Sequence, residues 1–181
     1  MPATYLASAR QQFQQYKALG DTALAQVPDE ALFWQPNPAC NSMASIVKHL
    51  WGNMLSRWTD FLTSDGEKPW RAREAEFDND LTTRAQVLEK WEAGWQCLFA
   101  ALAGLTEADL ERTVHIRHEP HRVVEAINRQ LAHYPSHVGQ LLLMGKLVQG
   151  PAWQSPSIPR GGSAAFNAAK AEQARQPGSG A

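Results

Sequence analysis

Two cysteines, Cys40 and Cys97, are all this chain contains. They are far apart, form no C-x-x-C and make no ligand pair, which excludes a disulfide framework and a thiolate metal site. Both are expected to be reduced, with Cys97 packed as a small hydrophobe. No run of Lys or Arg occurs and the formal net charge is -1. The electrostatic footprint of a nucleic-acid or anionic-membrane binder is therefore missing. No stretch approaches the ~18 uninterrupted apolar residues of a membrane span. The longest apolar segment, Leu141 to Val148, is broken by Gly145 and Lys146. Met1 to Arg10 lacks the basic, apolar and small-residue sections of a signal peptide. A cytoplasmic protein with no membrane and no nucleic-acid partner is expected. There is no G-x-S-x-G, P-loop or G-x-G-x-x-G, and no Glu-x-x-His of the di-iron bundles.

What is present is helical periodicity. At 181 residues and 44% apolar composition, the chain can build one domain with a real core. Leu6, Phe13, Tyr16, Leu19 and Leu24 share a face of a helix from about Ala3 to Val27, ended by Pro28. A loop with Pro36 and Pro38 follows. A second helix starts at Asn41 or Ser42 and runs to about Thr63, carrying Ile46, Val47, Leu50, Met54, Trp58 and Phe61, with Ser64-Asp65-Gly66 as its stop. Glu67 to Asp80 is charged and irregular and is expected to be an ordered surface loop. A third helix spans Thr82 or Thr83 to about Leu102, and Thr106 caps a further short turn. Thr113 to Arg117 alternates like a strand, with His118-Glu119-Pro120-His121 as the turn. The fourth helix runs from about Val123 to Gln149. The tail holds an Ala-rich helix from about Ala164 to Arg175, and Gln176 to Ala181 is expected to be disordered. The pattern predicts an all-α four-helix bundle, residues 1–151, with a short β-hairpin-like segment before the fourth helix and an irregular C-terminal extension, 152–181. Of the seven tryptophans, most are expected in the core.

Six histidines raise the chemical question. His133 and His137 are four apart on the fourth helix, on one face, about 5–6 Å apart at Cβ. That spacing allows both imidazoles to reach one ion, and His49 at the edge of the second helix's apolar stripe would complete a three-nitrogen site with an open position. Pro135 between the pair removes one helical hydrogen bond and is expected to kink the helix. Zinc, nickel, iron and copper all suit three imidazoles. Asn53, Glu125 and Asn128 are candidate partners for the rings' other nitrogens. His115, His118 and His121 form a rival set, but three-residue spacing on a strand sends side chains to opposite faces. Each histidine also has a plain reading as a hydrogen-bonded structural residue.

Asn41-Ser42-Met43 with Val47-Lys48-His49-Leu50-Trp51-Gly52-Asn53, and His133-Tyr134-Pro135-Ser136-His137-Val138-Gly139-Gln140, resemble the DinB/YfiT-like superfamily. The stretches Thr59-Asp60-Phe61-Leu62, Asp65-Gly66-Glu67-Lys68-Pro69-Trp70 and Ser157-Ile158-Pro159-Arg160-Gly161 resemble an uncharacterised subgroup of it. The likeness covers about Ala3 to Asn167. It implies an up-down-down-up bundle, often dimeric, and a divalent ion on His49, His133 and His137, zinc or nickel foremost, with iron or manganese as the others. Characterised relatives are S-transferases that use small thiols such as bacillithiol or mycothiol, and a thiol-dependent maleylpyruvate isomerase. The resemblance thus implies a small-molecule substrate and a low-molecular-weight thiol. The Ser-Ile-Pro-Arg-Gly segment is expected to fold over the site, with Arg160 reading an anionic group. A non-catalytic dimeric bundle or ligand-binding module, and a metal-dependent hydrolase, remain as alternative readings.

Overall fold

The computed structural model describes residues 4–175, so the expectation for 176–181 falls outside the described residues. Helix α1 spans Tyr5–Gln26, α2 Met43–Trp58, α3 Arg84–Ala103, α4 Val123–Gln149 and α5 Ser163–Arg175, with strands β1, Thr113–Ile116, and β2, Glu119–Arg122, before α4. The fold is mostly helical with one small two-stranded sheet, as the periodicity predicts. The helix starts follow the capping residues. Thr4, Ser42 and Thr83 accept hydrogen bonds from the backbone N–H groups of Ala7, Ser45 and Gln86, and Thr83 completes a capping box with Gln86.

Side-chain partners give the helix directions. Tyr5 at the start of α1 donates to Asn128 near the start of α4, and Gln149 at the end of α4 donates to the Gln26 carbonyl at the end of α1, so these two run parallel. Lys90 lies over Trp51, and Cys97 sits beside Thr59, so α2 and α3 are also parallel. Arg10 reaches Leu102 and Arg84 reaches Leu24, which makes α1 and α3 antiparallel. The bundle is up-down-down-up. Parallel neighbours α2 and α3 need a connection that returns along the whole of α2, about 24 Å at 1.5 Å per residue. Residues 59–83 make that crossover.

Each helix of the bundle contributes one ring to a central aromatic layer. Phe13 of α1 packs against Trp58 of α2, Trp95 of α3 and Tyr134 of α4 at centroid distances of 6.5, 6.4 and 5.9 Å. Inside it, the Trp58 indole N–H donates to the Tyr134 hydroxyl (2.9 Å), which donates to Asn53 Oδ1 (3.1 Å). Of the seven tryptophans, Trp58, Trp91 and Trp95 are buried, Trp51 and Trp153 half-buried, and Trp34 and Trp70 exposed.

Several boundaries differ from expectation. Helix α2 stops at Trp58, five residues early, because Asp60 turns left-handed (φ 50°) and tips Phe61 back into the core. The hairpin turn is Arg117-His118, both with positive φ (53° and 65°), and Glu119 to Arg122 form the second strand. Two such residues are needed for the turn type that matches strand twist, a position where Asn-Gly is usual. Here the Asp65 carboxylate accepts from both turn amides, Arg117 N at 2.8 Å and His118 N at 2.7 Å, and from Glu67 N at 2.7 Å. Helix α4 runs unbroken through Pro135. Cys97 is half-buried and its thiol pushed up by desolvation. No helix of the described residues is long and apolar enough to cross a membrane.

Candidate metal centre

His49 sits in the second turn of α2; His133 and His137 sit one turn apart in the middle of α4, which crosses α2 antiparallel at this level. The three rings meet. Nε2 of His133 lies 3.0 Å from Nε2 of His137 and 3.4 Å from Nε2 of His49. One ligand atom from each falls within 4.8 Å of the others, the one such His/Cys/Asp/Glu group among the described residues. Tetrahedral zinc with nitrogens at about 2.0–2.1 Å separates its ligands by about 3.3–3.4 Å. The group could hold a metal ion.

The opposite ring nitrogens say which tautomer each imidazole holds. His49 Nδ1 meets Glu76 Oε2 at 2.9 Å. Glu76 is 4% exposed, and burial alone would raise its pKa. The hydrogen bonds from His49 and Arg71 outweigh that and hold it below the ordinary carboxylate range. Ionised, it only accepts, so Nδ1 of His49 carries the proton. Gln130 Oε1 faces His133 Nδ1 at 3.2 Å, and Gln140 Oε1 faces His137 Nδ1 at 3.1 Å. All three Nε2 atoms therefore meet in one small volume, each ring engaged from outside through its Nδ1. Burial, and the charges of His137, His49, Arg57 and Arg71, push His133 down to about 3, and burial also lowers His137. Three converging imidazole nitrogens suit a cation that accepts lone pairs.

Glu76 comes from the crossover. Arg71 grips it with two hydrogen bonds, 2.7 and 2.9 Å, and Phe77 stacks on the His49 ring at 5.1 Å. Gly52, one turn after His49, makes room: a Cβ there would overlap the Glu76 carboxylate. The expected orienting residues are elsewhere. Asn53 accepts from Tyr134, Asn128 from Tyr5, and Glu125 caps α4 through Arg122. Composition could not single out Glu76 in an aperiodic segment; the one signal was a glycine inside a helix, three residues after a histidine.

A cavity of about 520 Å³ opens beside the rings, lined by His49, His133 and His137 together with Asn53, Phe77, Gln130 and five arginines, 57, 71, 73, 117 and 129. The rival histidines do not gather there: His115 and His118 line a separate depression, and His121 lies near Glu119. The tail does not cover the cavity either. Trp153 packs over Gly145, Gln154 bonds Gln26 at the far end of α1, and Arg160 is exposed, outside the cavity lining. Gln26 claims the tail's backbone first and leads it away.

Residues 1–162 match the family described as "Protein of unknown function (DUF1572)", which is DinB-like. No curated protein matches the chain.

Proposed function

This chain belongs to the DUF1572 family, and from that premise we propose that it is a divalent-metal protein whose ligands are His49, His133 and His137, working as a thiol-dependent S-transferase. The observation that carries the reading is the convergence of three imidazole Nε2 atoms, each ring with its Nδ1 engaged from outside. Zinc or nickel fits three imidazoles, and iron or manganese is the second choice. When bound, such an ion is a Lewis acid that lowers the pKa of a thiol or water beside it.

The chain's own residues do the rest. Glu76 fixes the orientation of the His49 ring, Arg71 holds Glu76, and Phe77 covers the ring's face. No carboxylate lines the cavity among the described residues. Neither cysteine lines it, so the sulfur would come from a small thiol. In the transfer, the thiol gives its S–H proton to solvent water, its sulfur forms a bond to carbon of the electrophile, and the carbon's bond to the leaving group breaks, the leaving group departing with the electron pair. The reading includes a cytoplasmic homodimer. The exposed apolar ridge of Leu143 and Leu147 on α4, beside Trp34, supports self-association.

The test is elemental analysis of protein purified without a polyhistidine tag. About one divalent ion per chain is expected, and its loss in His137→Ala. Unchanged metal content in that variant would sink the metal reading. Metal-loaded protein should then turn over a model electrophile only when a thiol is added; thiol-independent turnover of an ester would favour the hydrolase.

A further inference from the structure

Arginine is the residue that the metal reading leaves unexplained. Five of them line one cavity, contributed by α2, the crossover, the hairpin turn and α4. Three have acidic partners. Arg71 is spent on Glu76, Arg117 meets Glu67 at 3.2 Å, and Arg73 meets Glu74 at 3.2 Å. Arg57 and Arg129 have no ion pair among the described residues.

Arg57 is the anomalous one. It is 4% exposed, yet its Nε and Nη1 have no hydrogen-bond partner. A guanidinium carries five N–H donors in a planar fork, and a buried one is normally paired. The surroundings are shaped for it: a Cβ at Gly66 would strike Nη1. The charge also reaches the histidine group, since Arg57 acts on the His133 imidazole. Of the five arginines on this wall, Arg57 alone is both buried and without an ion pair among the described residues, and no carboxylate shares the lining with it.

We infer that the cavity beside the three histidines binds an oxyanion-bearing small molecule, its carboxylate or phosphate oxygens received by Arg57, with Arg129 and Arg117 at the rim. This rests on the proposed metal centre only for which end of the substrate reacts. The anion subsite places the charged end; the three histidines face the other. A guanidinium suits both oxyanions in charge and hydrogen-bond donors.

The experiment titrates succinate, inorganic phosphate and neutral succinamide into the full chain, zinc-loaded and metal-stripped, by calorimetry. Succinate, phosphate or both should bind in either metal state, and succinamide should not; the stronger of the two anions identifies the oxyanion. Arg57→Gln should weaken the bound anion at least tenfold and leave zinc stoichiometry unchanged. Arg57→Lys should recover only part, because it keeps charge without the fork. Without anion, Arg57→Gln should melt no lower than the parent, since an unpaired buried charge is removed. Arg129→Gln, at the exposed rim, should weaken the anion by a smaller factor. The inference is overturned if neither anion binds, if Arg57→Gln keeps full anion affinity, or if Arg57→Gln fails to fold, which would make Arg57 a structural cation. Anion binding that disappears with zinc and survives Arg57→Gln would likewise overturn it and assign the anion to the metal. Zinc failing to bind while succinate binds through Arg57 would remove the metal centre and keep the subsite.

Discussion

Glu76, His49 and Gly52 make a unit whose parts are worthless alone. The carboxylate sets the His49 tautomer, and the absence of a Cβ at position 52 lets it approach. Alanine in a helix interior ordinarily gains ~1 kcal/mol over glycine. Here Gly52→Ala is expected to displace the Glu76 carboxylate and weaken metal affinity by about 10–100-fold, the usual range for losing an orienting partner. A competitive chelator titration measures this, with circular dichroism to show that α2 persists. Unchanged affinity would mean that Glu76 has no role in holding the ring. The His133–His137 spacing could be read from sequence because four residues is one helical turn. Glu76 could not, because nothing in an aperiodic loop says which of its acids turns inward.

The crossover and the hairpin are elements that the bundle needs for topology and the site needs for chemistry. Parallel α2 and α3 force a long return, and that return supplies Glu76, Arg71 and Phe77. The hairpin turn is strained, with two non-glycine residues at positive φ. Asp65 offsets that strain through three backbone amides. Partial burial would raise its pKa, but the amides of Glu67, His118 and Arg117 hold it down to about 2. Its folded pKa lies below the ordinary aspartate value of 3.8, so the stabilisation is present above that pH and lost as pH falls toward about 2. Asp65→Asn is expected to lower the melting temperature at pH 7 and to flatten the acid limb of the stability curve between those values. Parallel melting curves for parent and variant across that range check it; identical slopes would assign acid sensitivity elsewhere.

Across the molecule, the aromatic layer and the histidine group are one structure. Tyr134 follows His133 in α4 and closes the layer, and Phe13 is the only ring that α1 places in it. Phe13→Ala removes a fully buried ring from the meeting point of four helices. A loss of about 3–5 kcal/mol is expected, read from denaturant midpoints with an unchanged slope. Metal release should follow the same transition as tryptophan fluorescence. Separate transitions would show that the site survives loosening of the core.

Sequence alone determined the helices, the cap regions of α2 and α3, the hairpin's first strand and that His49, His133 and His137 could come together, because periodicity, capping and one-turn spacing are local consequences of backbone geometry. It missed the early stop of α2 and the turn at Arg117-His118, where side chains distant in sequence, Asp65 above all, override local propensity. Only the tertiary structure decided which groups orient the rings, that the tail turns away toward Gln26, and that arginines scattered over seventy residues share one wall. Charge on a chain has no address until the chain folds: its sum near zero concealed five arginines on one wall.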